Sequence, residues 1–263
     1  MILTYWLIVI CIITTALSLI FFYNYNYYRA QVKQKGSFSA WPIKTISLPE
    51  IDPVFKTNEF GPTLETTVKF IGRGHLIVPG GTSDAEAWVL SVLAKNAKQI
   101  FEFGTCTGKT SYLMALNSPQ DTQVTTLTLP PDQVNNYTVD PTDSKRATKN
   151  ALSESAFTSF LYSGTPEEKK ISQVFGDSKH FDERPFEGKM DLIFIDGSHA
   201  LSYVFSDSKK AFAMVKPGGL ILWHDYRGPY QNKDVYRALN KLSKEKKLFL
   251  IEGTSFIAHR SNS

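Results

Sequence analysis

Cysteine is scarce in this sequence, since only Cys11 and Cys106 occur in 263 residues. Cys11 lies in an apolar N-terminal run and Cys106 in a glycine-rich stretch, so they are poorly placed for a disulfide bond and lack metal-binding spacing. This usage fits a reducing compartment for the globular part of the chain. A dense basic stripe is also missing and the net charge is only +4, so the composition gives no reason to expect nucleic acid as a partner.

Charged side chains are absent from residues 1–28, and the segment 2–23 is nearly all apolar. This segment is long enough to cross a bilayer core, and the aromatic residues near its end suit the membrane interface. Arg29, Lys33 and Lys35 follow, so the positive-inside rule places the rest of the chain in the cytoplasm. We therefore predict a single-pass membrane anchor at residues 1–28, with the globular part facing the cytoplasm.

Two alternatives to an anchor stay open. A cleaved signal peptide normally carries Lys or Arg before the apolar run and a small-residue cleavage site after it, and neither is clear here. A buried helix of a soluble core is the other alternative. With the anchor, the sequon Asn136-Tyr137-Thr138 faces the cytoplasm and stays unused.

Residues 29–81 are punctuated by proline and glycine, which predicts a linker that becomes an arm lying on the folded domain. The folded domain is predicted to span residues 82–263, because a chain of this length with 42% hydrophobic residues can bury one sizeable core. It begins with a capping box, Ser83-Asp-Ala-Glu86, and a helix that ends near Asn96.

A strand, a glycine turn and a helix are predicted between Ile100 and Ser111. The apolar run ends at Phe103, and Gly104 and Gly108 precede a helical apolar pattern. Glycine lets a ligand lie against bare backbone, and the N–H groups that open the helix favour negative charge. Only three residues separate the glycines, one fewer than a phosphate-binding P-loop requires. A tight turn without a ligand is the other alternative.

The following segments alternate between strands and helices. Two further strands are predicted to end at Asp196 and at His224-Asp225, and others are predicted at 124–129, 171–177, 248–252 and 256–259. The last two are so close in sequence that they must pair antiparallel as a hairpin. The connection 131–170 is too long for an ordinary loop, so we predict a cap-like insertion that contains a helix.

Acidic residues and histidines end two of these strands. Met190 to His199 reads M-D-L-I-F-I-D-G-S-H, and Lys216 to Tyr226 reads K-P-G-G-L-I-L-W-H-D-Y. Parallel strands of a βαβ unit end at the same edge of a sheet. We therefore predict that four side chains gather beside the glycine loop, namely Asp196, His199, His224 and Asp225.

Together these motifs resemble the class I S-adenosylmethionine (SAM) methyltransferases. The stretch 100–111 resembles their motif I, an acidic residue followed by a Gly-rich loop. The two later blocks resemble the group that includes macrocin-type and catechol-type O-methyltransferases. The resemblance covers about residues 83–260. It implies an α/β fold with a seven-stranded, mostly parallel Rossmann-like sheet and an antiparallel C-terminal hairpin, here preceded by a transmembrane helix.

The resemblance also implies the cofactor-binding positions. They correspond to Glu102, Gly104, Thr105 and Gly108 for the methionine portion, Thr128 for the ribose, and Asp177 and Ser178 for the adenosine portion. The family has an acidic residue where this chain has Thr128. A threonine can still hydrogen-bond a hydroxyl, and Asp132 in the next loop is a possible substitute acid.

A metal site is implied by the catechol-type enzymes, in which the acids that end strands four and five bind magnesium. Asp196 and Asp225 match those acids, while the Asn that typically follows is Tyr226 here, so His224 is the expected third ligand. Two carboxylates at adjacent strand ends repel one another unless a cation or a proton lies between them. We therefore expect Mg²⁺ between Asp196 and Asp225. The alternative is that Asp196 only hydrogen-bonds cofactor or acceptor.

The resulting hypothesis is a SAM-dependent methyltransferase that acts on an oxygen of a small-molecule acceptor. Alignment of the acceptor with the sulfonium methyl supplies most of the rate, and His199 or His224, beside Asp196, is the candidate base. Two rivals stay open: a non-catalytic membrane-tethered module, favoured by Thr128 and Tyr226, and another metal-dependent enzyme on the same fold. The oligomeric state, a homo-oligomer included, is left open.

Overall fold

The computed structural model describes residues 2–32, 42–75 and 81–262. The first described segment is one helix, α1 (Ile2–Val32). Within it, Thr4–Asn26 has a mean hydropathy of 2.4, and its most apolar window is fully exposed. The Thr15 hydroxyl donates to the carbonyl oxygen of Cys11 at 2.8 Å, so this polar group is satisfied within the helix. The segment is long and apolar enough to be a membrane span or a signal sequence.

A compact unit begins at Ile43 and opens with short elements. They are β1 (Thr45–Ile46), α2 (Leu48–Ile51), β2 (Thr57–Asn58) and β3 (Gly61–Pro62). The buried ring of Phe55 packs edge-to-face on Trp88, with ring centroids 5.5 Å apart. The indole N–H of Trp88 donates to the carbonyl oxygen of Thr66 at 3.1 Å. Aromatic packing and this hydrogen bond hold the opening segment against the helix that contains Trp88.

The remaining elements alternate between helices and strands as predicted. In chain order they are α3 (Asp84–Ala94), β4 (Gln99–Phe103), α4 (Lys109–Asn117), β5 (Gln123–Thr128), α5 (Lys145–Glu154), β6 (Ile171–Phe175), β7 (Met190–Ile195), α6 (Leu201–Met214), β8 (Val215–Trp223), α7 (Gly228–Gln231), α8 (Lys233–Leu242), β9 (Phe249–Ile251) and β10 (Ile257–Arg260). The predicted capping box starts α3, and α5 lies within the predicted insertion.

The main sheet has eight strands in the order β1-β9-β10-β8-β7-β4-β5-β6. Only β10 runs against its neighbours β8 and β9, while the other pairs in this sheet are parallel. The expected mostly parallel sheet with a C-terminal hairpin is therefore confirmed, but the expected count of seven strands is wrong. The extra strand is β1, whose Thr45 pairs with Leu250. A two-residue strand in a proline-rich segment carries no alternation, so no local pattern predicts it.

Successive side chains of a strand point to opposite sides of the sheet, and in the central strands β4 and β7 nearly all of them are buried. Both faces of the sheet are therefore covered there. Ile100 and Phe194 belong to an apolar core with residues of α3 and α4. Phe101, one residue along β4, packs instead on Phe181 and Phe186, with ring centroids 5.3 Å away in each case. A sheet covered on both faces presents its strand ends as the open edge, where loops can form a site.

Candidate active site

The register of the central strands brings the predicted site residues together. Phe103 is paired with Ile195, and Ile195 with Trp223, so β4, β7 and β8 end side by side. The residues that follow are Gly104, Asp196 and His224, and all three line one cavity of about 260 Å³. The predicted gathering of the acids and histidines beside the glycine loop is thus what the structure shows.

Gly104 lies where the loop after β4 approaches the end of β7. Its φ of +97° is in the left-handed region, and a Cβ there would overlap the carbonyl oxygen of Asp196. Gly108, with φ of +76°, precedes α4, and a Cβ on it would lie 2.8 Å from a ring carbon of Tyr162. Both positions require glycine because of close approach as well as backbone conformation. The cap-like insertion therefore covers the loop at Gly108.

Glu102 and Thr105 support the loop from within the protein. The fully buried Glu102 carboxylate accepts hydrogen bonds from the hydroxyls of Ser111 and Thr126, the latter at 2.7 Å. The hydroxyls of Thr105 and Thr126 are 2.8 Å apart. Burial raises the pKa of Glu102 to about 7, against the effect of these hydroxyls. Both residues thus tie the loop to β5 and α4, beneath the cavity wall rather than on it.

Thr128, Asp177 and Ser178 line the other end of the cavity. Thr128 ends β5, as predicted, and its carbonyl oxygen accepts from the N–H of Gly176 at 2.9 Å. The Asp177 carboxylate accepts from the hydroxyl of Tyr203 at 2.8 Å and from the N–H of Lys179 at 2.9 Å. Asp132 is exposed to solvent. Thr128 is therefore the hydroxyl-bearing residue at the position where the family has an acid.

His224 lies between two carboxylates. Its Nδ1 is 2.8 Å from Asp196 Oδ1, and its Nε2 is 3.3 Å from Glu86 Oε2. A carboxylate only accepts hydrogen bonds, so both ring nitrogens donate and the ring is an imidazolium. Burial opposes that charge, yet the neighbouring carboxylates of Asp196 and Asp225 hold the pKa of His224 well above its usual value. The buried cation offsets the carboxylate charges that otherwise repel one another.

His199 and Arg227 hold the second strand-end acid. His199 Nε2 is 2.9 Å from Asp225 Oδ2, and Arg227 Nε is 2.8 Å from Asp225 Oδ1. Asp225 has a φ of +66°, a left-handed conformation that Asp tolerates better than most residues. Burial disfavours charge on His199, but the Asp225 carboxylate raises its pKa to about 10. At neutral pH the cluster therefore contains two imidazolium groups among its acids.

The three residues that are placed to bind a metal ion differ from the predicted set in one member, since His199 takes the place of His224. Asp196, His199 and Asp225 each present a ligand atom, and these atoms lie within 4.8 Å of one another. Among the described residues, His224 lies outside this group because its two nitrogens face carboxylates. Tyr226, which replaces the family's Asn, is buried and its hydroxyl donates to Asn240 at 2.6 Å. The geometry offers two oxygens and one nitrogen, a set that suits Mn²⁺ or Fe²⁺ better than Mg²⁺.

Three further carboxylates approach the site without having been predicted as site residues. Glu86 reaches His224 from α3, whereas Glu154 and Asp207 line the cavity from α5 and α6. Burial raises the pKa of Glu154 to about 7 against the positive charge of His199. Glu86 belongs to a recognisable motif, the capping box that starts at Ser83, but that motif indicates the start of a helix and not a functional site. Neither Glu154 nor Asp207 lies in a motif, so no pattern could have identified them.

Comparison with known families identifies the class of this domain. Residues 101–226, from β4 to just past β8, match the family model described as a methyltransferase domain. The sequence-based recognition of a class I SAM-dependent methyltransferase is confirmed over these residues, and the sheet topology is consistent with it. A comparison with curated proteins finds no match.

Several solved structures resemble the chain at low sequence identity. The O-methyltransferase TomG from Streptomyces achromogenes, involved in tomaymycin synthesis and in complex with SAM, is 16% identical with a TM-score of 0.45, covering 69% of this chain and 82% of that one. The SAH-bound methyltransferase PaMTH1 from Podospora anserina is 16% identical with a TM-score of 0.46, covering 70% and 80%. A methyltransferase from Geobacter sulfurreducens is 11% identical with a TM-score of 0.45, covering 70% and 81%.

The cavity residues fit the cofactor of this class. Gly104 keeps a side chain out of the loop beside Asp196, whose carboxylate can accept from an amino group. Thr128 can donate to or accept from ribose hydroxyls. Near Gly197, Asp207 has a buried carboxylate oxygen, Oδ1, without a hydrogen-bond partner among the described residues. Each part of SAM thus has a chemically suitable group along the cavity.

Proposed function

We propose that this protein is a SAM-dependent O-methyltransferase of a small-molecule acceptor, tethered by α1 to a membrane with its domain facing the cytoplasm. The observation that carries the proposal is the shared cavity, in which the glycine loop and the acid–histidine cluster lie against the same space. A cofactor on the loop places its reactive methyl toward the cluster, and proximity of this kind is the main contribution to such reactions.

Gly104 and Asp196 hold the methionine portion in this proposal, while Gly108, Thr105 and Glu102 keep the loop in shape. His224 Nδ1 donates to Asp196 Oδ1, so the second carboxylate oxygen of Asp196 remains available to accept from the cofactor amino group. At the other end, Thr128 holds the ribose hydroxyls. Asp177 and Ser178 face the adenosine portion, as the family resemblance implies.

When bound, SAM would supply a methyl group to the acceptor oxygen: the carbon–oxygen bond would form as the carbon–sulfur bond breaks, and the bonding pair would stay on sulfur. The hydroxyl proton of the acceptor would go to a base of the protein. His224 cannot serve, because both of its nitrogens already carry donated protons. His199 is protonated near neutrality and orients the acceptor oxygen, and the carboxylate of Glu154 accepts the proton.

The second candidate mechanism uses a divalent metal ion to activate the acceptor hydroxyl. A cation bound by Asp196, His199 and Asp225 would lower the pKa of the acceptor hydroxyl. It would have to displace the His199 proton that now pairs with Asp225, so metal affinity should fall at lower pH. Turnover that is lost with chelator and restored by Mn²⁺ or Mg²⁺ supports the metal version. Full turnover in excess chelator leaves the Glu154 version standing.

Titration calorimetry of the full chain in detergent with SAM tests the core of the proposal. We expect binding of SAM and of its product S-adenosylhomocysteine (SAH), but not of ATP. ATP binding without SAM binding would overturn the assignment. Binding of SAM with no methyl transfer to any oxygen, nitrogen or carbon acceptor would favour the non-catalytic module, for which Thr128 and Tyr226 are the relevant departures.

The membrane part of the proposal rests on the exposed apolar segment of α1 and on the basic residues after it. The domain should stay with the membrane fraction after high-salt washing. Protease added outside intact cells should leave it undigested, because the positive-inside rule places the domain in the cytoplasm. Digestion from outside would reverse the orientation, and recovery of a chain shortened at its N-terminus in the soluble fraction would identify a signal peptide.

A further inference from the structure

The helix α8 carries a row of basic side chains on its outer face. Lys233, Arg237 and Lys241 are exposed and lie four residues apart, so they follow one another along the same side of the helix. The opposite side is buried and contains Val235, Ala238 and Leu239. Exposed lysines continue beyond the end of the helix at Lys244, Lys246 and Lys247. The row is not dense in the sequence, because other residues separate its helical members, and the helix aligns them.

Side chains of α6 adjoin this row. The Nζ atom of Lys241 lies 5.2 Å from the ring centroid of Phe205, and that of Lys246 lies 5.0 Å from the ring centroid of Phe212. Lys209 is exposed and comes four residues after Phe205 and three before Phe212, so it lies on the same side of α6 as both rings. The cations that share this surface form what we call the basic face: Lys209, Lys233, Arg237, Lys241, Lys244, Lys246 and Lys247.

The net charge of the whole chain is concentrated at this face. Residues 233–247 contain six Lys or Arg and two Asp or Glu, whereas the whole chain contains 29 and 25, so the remaining residues carry 23 of each sign and their charges cancel. One of the two acids, Asp234, is buried and lies 3.7 Å from Arg237, which leaves Glu245 as the exposed acid of this segment. Like charges at this spacing repel one another, so the face favours an anionic partner.

The chain itself indicates where that partner lies. Ten residues separate Val32, which ends α1, from Ile43, which begins the compact unit. A connection of this length reaches at most about 40 Å, so a membrane that holds α1 keeps the domain close to a lipid surface. The cytoplasmic leaflet contains anionic lipids, and its negative potential attracts clusters of Lys and Arg. Tethering raises the effective concentration of this surface above that of a free polyanion such as RNA.

We propose that the basic face docks the domain on the anionic lipid headgroups of the leaflet next to the α1 anchor. The inference rests on the proposed membrane anchor. Long basic side chains keep their apolar stems on the protein and their charges at its surface, as Lys241 and Lys246 do over phenylalanine rings. The start of α8 adjoins the site, since the side-chain amide of Asn232 donates to the carbonyl oxygen of Asp225 at 3.4 Å. Docking along α8 therefore keeps the candidate active site near the membrane surface.

Lysine acetylation of the full chain in nanodiscs, read by mass spectrometry, tests the contact. Nanodiscs of phosphatidylcholine alone are compared with nanodiscs that also contain phosphatidylglycerol. We expect Lys241 and Lys244 to be acetylated at least about 5-fold more slowly in the anionic nanodiscs, because headgroup phosphates pair with their amino groups. Lys149, exposed on α5, is the internal control and should react equally in both. High salt should remove the difference, since it screens the attraction.

A charge-neutralised variant sharpens the test. It replaces three lysines of the basic face, as Lys233→Gln, Lys241→Gln and Lys244→Gln. The protection of Lys246 and Lys247 by anionic lipid should then shrink to within about 2-fold. Arg237 stays in place so that the buried Asp234 keeps its partner. The matched control replaces three exposed lysines outside the basic face and should keep full protection, with Lys145→Gln, Lys149→Gln and Lys169→Gln. Thermal unfolding in detergent shows that both variants are folded before they are compared.

Equal acetylation of Lys241 and Lys244 in the two kinds of nanodisc would overturn the docking and leave the anchor intact. Full protection in the charge-neutralised variant would also overturn it. Protection by added RNA, with none from anionic lipid, would reassign the basic face to nucleic acid. A chain that does not insert into nanodiscs would refute the membrane anchor and this inference with it. SAM binding is measured separately by calorimetry, so failure of the docking is distinguished from failure of the methyltransferase assignment.

Discussion

Two neighbouring parts of the site, called here the glycine-loop end and the acid–histidine end, are built in different ways. The glycine-loop end comes from the contiguous stretch 102–111, and its requirement is steric, because backbone segments meet where Gly104 approaches Asp196. The acid–histidine end joins side chains from the start of α3 and the ends of β7 and β8, and its requirement is electrostatic, with His224 held between Glu86 and Asp196. One end should fail when an atom is added, and the other when a charge is removed.

This difference has a consequence for stability. Overlap with a backbone carbonyl cannot be relieved by a side-chain rotation, so the loop end tolerates no substitution at its closest approach. A buried ion cluster, in contrast, tolerates changes of shape but not the loss of one partner, because an unpaired buried charge remains. The following four expectations test the comparison, from the largest effect to the smallest.

Gly104→Ala should abolish SAM binding and destabilise the domain. Its Cβ would overlap the Asp196 carbonyl oxygen, whereas a Cβ on Gly164, which also has a positive φ of +76°, meets nothing within 4 Å. Both variants pay for the left-handed backbone, so their difference isolates the close approach. We expect Gly104→Ala to cost about 3 kcal/mol more than Gly164→Ala in urea unfolding. Equal costs would show that the loop can move away from β7.

Glu86→Gln should lower the free energy of unfolding by about 3 kcal/mol, since it leaves the His224 imidazolium with one carboxylate partner. The Glu86 carboxylate also accepts from the Ser255 N–H at 2.7 Å and hydroxyl at 2.6 Å. Ser83→Ala is the control, because it removes the cap hydroxyl that bonds the Glu86 N–H and Oε2 but keeps the carboxylate charge, and it should cost about 1 kcal/mol. Similar costs for the two variants would mean that packing, rather than charge, holds this end together.

Glu154→Gln should reduce methyl transfer about 100-fold on any acceptor found, with the affinity for SAM unchanged, because a general base contributes about that much. The release of SAH measures the rate. Ser153→Ala, at an exposed position one residue earlier on α5, should leave the rate as it is. Unchanged turnover in Glu154→Gln at saturating acceptor would remove Glu154 as the base and direct attention to the metal version of the mechanism.

The free energy of unfolding of Glu102→Gln should increase relative to that of the wild type as the pH rises. Folding raises the pKa of Glu102 from its ordinary value of 4.5 to about 7. The protonated form is therefore favoured by folding, and its contribution is present below pH 4.5 and lost as the pH rises through about 7. Between pH 6 and 8, the difference in unfolding free energy should shift by about 1 kcal/mol toward the variant. A pH-independent difference would contradict a buried titrating carboxylate beneath the loop.

Most of the sheet was readable from the sequence because β4, β7 and β8 contain apolar runs that stop just before a glycine, an acid and a histidine, respectively. The strands that end before Gly104, Asp196 and His224 were placed within a residue or two, and so was the hairpin. The strand count was wrong because β1 is only two residues long, and its hydrogen bonds depend on Leu250 and Ile251, about two hundred residues further along the chain. A pairing so distant and so short leaves no local pattern.

Site chemistry was less predictable than site position. The sequence was sufficient to bring Asp196, His199, His224 and Asp225 to one edge, since parallel strands end together. It was insufficient to decide which histidine is held through both ring nitrogens, because that depends on Glu86 of α3, which occupies the second nitrogen of His224. The roles of both histidines, and the metal ligands expected at Asp196, His224 and Asp225, remain predictions.

The sequence by itself determined the class of the domain, the positions of its central strands along the chain and the glycine turn after β4, because each is a pattern of residues that are neighbours in the chain. Only the tertiary structure decided which charges are paired, which carboxylate is left without a donor and which helix closes the cavity. The surroundings of Asp207 and Glu154 come from groups that are far away in the sequence. Burial sets the energetic cost of an unpaired charge, and these groups are buried only once the whole chain has folded.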